Sequence, residues 1–128
     1  MKITIKGAEQ QLHFGIFFIK ELDEKYFMDQ GSIQFGQGIN TAFMKLQNQD
    51  PVILFDVLSA ALNTRTTLTG FDFDEFFCSK TEKEIEELCD QLVKKLETEP
   101  MTAPNVKKLK KAIKDLQKEQ APKKPTNK

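Results

Sequence analysis

Residues 50–62 read DPVILFDVLSAAL, and the place given to this segment decides the fold. Asp50-Pro51 is a strong helix start, with the aspartate as N-cap and proline at the first helical position. The eleven residues after it, Val52 to Leu62, are apolar on nearly every side of a helix. A helix without a polar face is usually buried all round, so the segment is expected at the centre of the molecule. Asp56 is its one charge. Buried charges are normally paired. Asp56 lies at the rim of the buried helix, or is paired with Arg65 or a lysine, or contacts a partner.

Other elements must cover this helix, and the chain supplies them on both sides. Lys2-Ile3-Thr4-Ile5-Lys6 alternates polar and apolar, Gly7-Ala8-Glu9-Gln10 reads as a turn, and Gln11-Leu12-His13-Phe14 alternates again. This is a small hairpin with Ile3, Ile5, Leu12 and Phe14 on one face. A lone hairpin is marginal in water, so the helix of about residues 15–27 is expected to cover it. There Phe14, Phe18, Ile19, Leu22 and Tyr26 share one arc, while Lys20, Asp23 and Glu24 lie opposite. Ile16, Phe17 and Phe27 fall on the charged side. Residues 28–38 read as a connector rich in Gly and Gln, and Ile39, Ala42, Phe43 and Leu46 mark a second helix.

Beyond a polar, Thr-rich loop at 63–70, Phe71, Phe73, Phe76 and Phe77 alternate with Asp72, Asp74 and Glu75, a short helix with one Phe edge inward. Thr81-x-x-Glu84 is a capping box. It opens a helix with Ile85, Leu88, Cys89, Leu92 and Leu96 on one stripe. Pro100 and Pro104 end the compact region, giving a globular domain at 1–99 and a Lys-rich extension at 100–128. Val106, Leu109, Ile113 and Leu116 predict an amphipathic helix over 105–120, too short and too charged to be stable alone. The final APKKPTNK is expected to be disordered. The class is therefore α+β and helix-dominated: an N-terminal β-hairpin, about four to five packed helices and a flexible basic C-terminal extension.

Composition bounds the function. The 128 residues, 39% hydrophobic with eleven Phe and no Trp, suit one domain with one core. Net charge is zero, but residues 1–100 hold 10 Lys and Arg against 17 Asp and Glu, and residues 101–128 hold 9 Lys against 2 acids. An acidic body carries a basic tail, with Lys107, Lys108, Lys110, Lys111 and Lys114 as its candidate contacts. The tail is read as a solvated extension or as a site for an acidic or amphipathic protein; nucleic acid is disfavoured, because the tail has neither Arg nor aromatic residues for base recognition. Two cysteines eleven apart fit neither a disulfide framework nor a zinc motif and read as buried, reduced thiols. No signal peptide opens the chain, and no apolar run approaches the roughly 18 residues of a membrane span. His13, the only histidine, has no oriented partner at a motif spacing. Gly36-Gln37-Gly38 lacks the third glycine of a dinucleotide fingerprint and reads as a flexible turn. Asp72, Asp74 and Glu75 lack the glycine and terminal glutamate of a calcium loop. No catalytic residue, metal or cofactor is expected.

The order of the pieces carries a resemblance. Met1 to Ile5 (MKITI), Phe14-Gly15, KELDEKY at 20–26, Gly36-Gln37-Gly38, then Asp50-Pro51 with Leu54, Val57-Leu58 and Ala60-Ala61, and the acidic helix Glu82 to Leu96 together resemble the tail assembly chaperones of long-tailed phages and prophages of Gram-positive bacteria. The resemblance spans residues 1–98 and leaves the Phe-rich segment 71–77 and the lysine tail unmatched. It implies a non-structural factor of the host bacterial cytoplasm, absent from the mature virion. Such a factor binds the tape measure protein, keeps it soluble and helps tail tube protein polymerise around it. In many such phages a frameshift yields a longer fused form, and the Lys-rich end suits a slippery message. The client that the resemblance implies is long, helical and amphipathic, so it needs an apolar stripe or groove. The candidates are Ile16, Phe17, Phe27, Met28, Phe71, Phe73, Phe76 and Phe77. Each has the alternative of core packing, and self-association along the client is a third role. A regulatory or nucleic-acid adaptor working through the tail, and a structural tail or connector component, are the competing functions.

Overall fold

A computed structural model describes residues 1–31, 33–62 and 67–120. Arg65 and the segment 121–128 lie outside them. Strands β1 (Lys2–Ile5) and β2 (Ala8–Gln11) pair antiparallel, with Ile3 opposite Gln10 and Ile5 opposite Ala8. The turn is Lys6-Gly7 rather than residues 7–10: both have positive φ, 57° and 74°, the left-handed pair that a two-residue hairpin turn requires. Leu12 and Phe14 follow the strand and are buried with Ile5. The His13 N–H donates to the Ala61 carbonyl at 3.0 Å, tying the hairpin's exit to the end of the central helix.

Helix α1 (Ile16–Lys25) buries Phe18 and Leu22. The connector expected after it is a second antiparallel hairpin, β3 (Phe27–Gln30) with β4 (Ile33–Gly36). Its signal, the alternation of Ile33 and Phe35 after Gly31, is short and was masked by the Gly and Gln around it. Helices α2 (Gly38–Gln47), α3 (Pro51–Leu62), α4 (Gly70–Cys78), α5 (Glu82–Thr98) and α6 (Ala103–Gln120) complete the described chain. The expected α+β architecture holds: an N-terminal hairpin and helices packed about one core.

Helix α3 sits at the centre, against α1 and α2. Asp50 caps it, its Oδ1 accepting from the Val52 N–H at 2.9 Å. Ile53, Leu54, Val57, Leu58, Ala60, Ala61 and Leu62 are buried. The expectation of burial all round fails at the first turn, where Val52 is 64% exposed. Both Thr69–Asp72 at α4 and Thr81–Glu84 at α5 form capping boxes. The backbone N–H groups they accept from hold the Asp72 and Glu84 carboxyls below their ordinary range. Leu88, Cys89, Leu92 and Leu96 of α5 are buried, as the stripe predicts.

Gly36-Gln37-Gly38 is a close-packing device rather than a flexible turn. A Cβ on Gly38 would lie 2.5 Å from Leu22 Cβ and 2.6 Å from the Leu22 carbonyl carbon. The Gly38 N–H donates to Asp23 Oδ1 at 2.9 Å. Glycine here lets the start of α2 rest on the backbone of α1.

Helix α6 begins docked. The Thr102 hydroxyl donates to the Leu96 carbonyl at 2.8 Å, and Thr102 and Val106 are buried. Asn105 donates to Asn40 at 3.1 Å, and Lys110 pairs with Glu97.

Candidate functional site

Most of the large apolar side chains left in solvent fall into three places, with Met44, Met101 and Leu116 apart from them. The first is the start of α1. Gly15 provides no side-chain cap. Phe14 and Phe18 turn inward, in an edge-to-face contact with centroids 5.1 Å apart. Ile16 and Phe17, offset from that face, are each 55% exposed. They border a hollow of about 330 Å³ lined also by Leu12, His13, Ala60, Ala61 and Glu99.

The second place is the β3 hairpin, where Phe27 and Met28 are about half exposed. Its base is fixed by a buried polar cluster. Asp56 is buried on α3 and pairs with Lys25 Nζ at 3.2 Å, and the Tyr26 hydroxyl donates to its other oxygen. A lysine is thus the partner of the one charge on the central helix. Burial, and then the bond to Asp56, pushes the Tyr26 hydroxyl up to about 12. Burial also raises the Glu21 carboxyl, on the preceding turn of α1.

The third place is a groove of about 570 Å³ between α3 and α4, closed at one end by α5. Its lining is Pro51, Val52, Leu54 and Phe55 of α3, Gly70, Asp74, Phe77 and Cys78 of α4, and Ile85 of α5. At its edge Phe71 is 87% exposed. The four Phe of α4 therefore divide. On a helix, residues 73, 76 and 77 share the side opposite 71. Phe73 meets Phe55 edge-to-face at 5.4 Å and is 4% exposed; Phe76 is 9% exposed beneath Lys80, whose Nζ is 4.7 Å from the ring centroid. Phe73 and Phe76 belong to the core, which corrects their place among the exposed candidates. Phe77 is half-buried in the groove wall.

Sequence reasoning missed Val52, Phe55 and Cys78. The signal for Val52 and Phe55 lay in α3 itself, which is apolar on nearly every side. Cys78 is exposed rather than buried, because it closes the solvent side of α4's last turn. Cys89 is buried, and desolvation, with a smaller effect of Asp90, pushes its thiol up to about 11. Among the described residues no cluster of His, Cys, Asp or Glu is arranged to hold a metal ion, and no helix is long and apolar enough to cross a membrane.

On α6, Lys107, Lys108, Lys111 and Lys114 are exposed. Lys110 is engaged, pairing with Glu97 and lying 5.7 Å from the centroid of Phe43.

A sequence model of the family described as "Phage tail assembly chaperone protein, TAC" matches residues 2–111. The chain belongs to that family. The match reaches beyond the residue-98 limit of the resemblance, so the Phe-rich helix α4 and the first half of α6 are parts of this tail assembly chaperone and not additions to it. No curated protein and no solved structure matches the chain. Where the chaperone meets other proteins is thus read from its own surface. That surface offers an apolar groove at one end of α3 and an exposed pair, Ile16 and Phe17, beside the other.

Proposed function

We propose that this tail assembly chaperone holds amphipathic helices of the tape measure protein in the α3–α4 groove, without catalysis, and so keeps that protein soluble while tail tube protein assembles around it. The observation that carries the reading is the groove itself: a volume of about 570 Å³ with a largely apolar lining between two helices, and next to its Gly70 an 87% exposed Phe71. Exposed apolar surface of this kind marks an interaction site on a soluble domain. A groove between helices accepts a third helix through residues spaced i, i+3, i+4 and i+7. Ile16, Phe17, Phe27 and Met28 extend the contact along a long client, where several weak contacts add by avidity. The role belongs in the cytoplasm of the bacterial host, and the chaperone is expected to be absent from finished virions. A frameshifted longer form would carry the same groove to the tail tube.

The test is co-expression with the tape measure protein encoded alongside it. The wild-type chain should keep the client in the supernatant and co-purify with it. Val52→Glu and Phe71→Glu, both at exposed positions, should leave the helical circular dichroism signal unchanged and abolish co-purification. Full client solubility with both variants would overturn the groove as the site. Loss with Phe17→Glu alone would move the site to the start of α1.

A further inference from the structure

The free charge at the α3–α4 groove is of one sign. Val52, Phe55, Phe77 and Ile85 make an apolar floor, and among the described residues Asp74 is the charged member of the lining. Asp74 is exposed on α4, one turn from Gly70 and one from Cys78, which line the groove with it. Glu82 is exposed one turn before Ile85, on the same side of α5. Neither carboxylate forms an ion pair among the described residues. The other acids nearby are engaged: Asp50, next to Pro51, caps α3, and Asp56 is held by Lys25. That pairing also occupies Lys25, the cation that lies over the Phe55 ring. The body around the groove has the same sign, with 17 Asp and Glu against 10 Lys and Arg in residues 1–100.

An apolar floor beside two unpaired carboxylates sets what a seated helix must carry. A helix that binds through i, i+3, i+4 and i+7 turns those side chains to the floor. At about 100° per residue, positions i+1, i+6 and i+8 border that stripe, while i+2 and i+5 face away from it. Lysine or arginine at a bordering position lays its methylene stem on the apolar lip and brings its charge to the carboxylates. An acid there meets like charge instead. Cations on the far side of the helix gain nothing. The chain's own α6 is of that last kind: Lys111, Lys114 and Lys118 lie opposite the Leu109–Ile113–Leu116 stripe, and Gln117 and Glu119 border it.

We infer that the α3–α4 groove selects, among amphipathic helices, those whose apolar stripe is bordered by lysine or arginine. This selectivity rests on the reading of the groove as the client site, and it names which client segments the groove takes. The apolar floor holds the helix, and Asp74 and Glu82 choose it. Two exposed ion pairs gained, in place of two like-charge contacts, amount to about tenfold in affinity.

Two synthetic helices of about 18 residues test it. Both carry leucine at i, i+3, i+4 and i+7; one has lysine and the other glutamate at the bordering positions. Each, fluorescently labelled, is titrated with the purified full chain and followed by anisotropy. The lysine peptide should bind about tenfold more tightly at low salt, and the difference should narrow at roughly 0.5 M salt. Asp74→Asn with Glu82→Gln should erase the preference. Glu87→Lys changes the net charge by the same amount on the other flank of α5, where Glu87 faces Ile3 and Lys80, and should leave the preference in place. Equal affinity for the two peptides, a preference that survives the Asn and Gln changes, or one that Glu87→Lys also erases would each overturn the selectivity. In those cases loss of both peptides with Val52→Glu would leave the groove standing as a helix site. A wild-type chain that binds neither peptide would overturn the client reading as well.

Discussion

Gly38→Ala is expected to destabilise the protein by about 2 kcal/mol, although helix propensity alone gives the opposite sign. Gly38 opens α2, and an added Cβ would lie 2.5 Å from Leu22 Cβ, 2.6 Å from the Leu22 carbonyl carbon and 2.8 Å from the Asp23 nitrogen. Two of these atoms are α1 backbone, and Leu22 is fully buried, so no side chain can swing aside. Restoring ordinary contact distances requires α1 and α2 to separate by about 1 Å. Overpacking of this kind costs about 1–3 kcal/mol. The separation also stretches the Gly38 N–H bond to Asp23, worth about 1 kcal/mol. Against this, alanine gains at most about 1 kcal/mol over glycine in a helix. The control is Gly70→Ala. Gly70 opens α4 in the same way, but a Cβ there meets nothing within 4 Å, so the loss of unfolded-state freedom should stabilise by about 0.4–1 kcal/mol. Urea and thermal unfolding followed by circular dichroism read both. For a domain of this size about 2 kcal/mol corresponds to roughly 6–12 °C in Tm. If Gly38→Ala shifts the midpoint in the same direction as Gly70→Ala, the close-contact reading of the Gly-x-Gly turn is wrong.

Two further predictions concern Tyr26 and the two cysteines. Tyr26→Phe leaves Asp56 short of one donor in a buried setting and should cost about 1–3 kcal/mol in urea unfolding. The Tyr26 hydroxyl titrates near 12 in the folded chain against an ordinary 10, so the folded state holds its proton longer. The corresponding stability is complete below pH 10 and is lost as pH rises from 10 to 12; the Phe variant should lack that slope, and an unchanged slope would show that another group carries it. The two cysteines should react unequally with an alkylating reagent at pH 8. Exposed Cys78 should be modified in the native chain, whereas Cys89, buried and with its thiol pushed up to about 11, should react only on unfolding. Mass spectrometry of the labelled peptides decides this, and because Cys78 lines the α3–α4 groove, a helix seated there should slow its labelling.

The sequence alone determined the features that depend on local pattern. The apolar run 52–62 placed α3 at the centre. The Thr81–Glu84 box and the stripe from Leu88 to Leu96 fixed α5. The angular count along α1 separated Phe18 and Leu22 from Ile16 and Phe17, and the structure buries the first pair and exposes the second. Each of these follows from the period of a single element, which is written in consecutive residues. Tertiary structure decided what depends on contacts between elements distant in the chain. Gly36-Gln37-Gly38 looks like a loop until the backbone of α1 is found against it. Phe71, Phe73, Phe76 and Phe77 are chemically alike in sequence, and only the seat of α4 on Phe55 sends Phe73 inward and leaves Phe71 in water. Val52 belongs to a helix that reads as wholly buried, yet it is 64% exposed while Ile53 and Leu54 beside it are buried. That exposed edge, α4 beside it and the start of α5 make the groove. No one segment encodes it, because a groove is the space that three separate elements fail to fill.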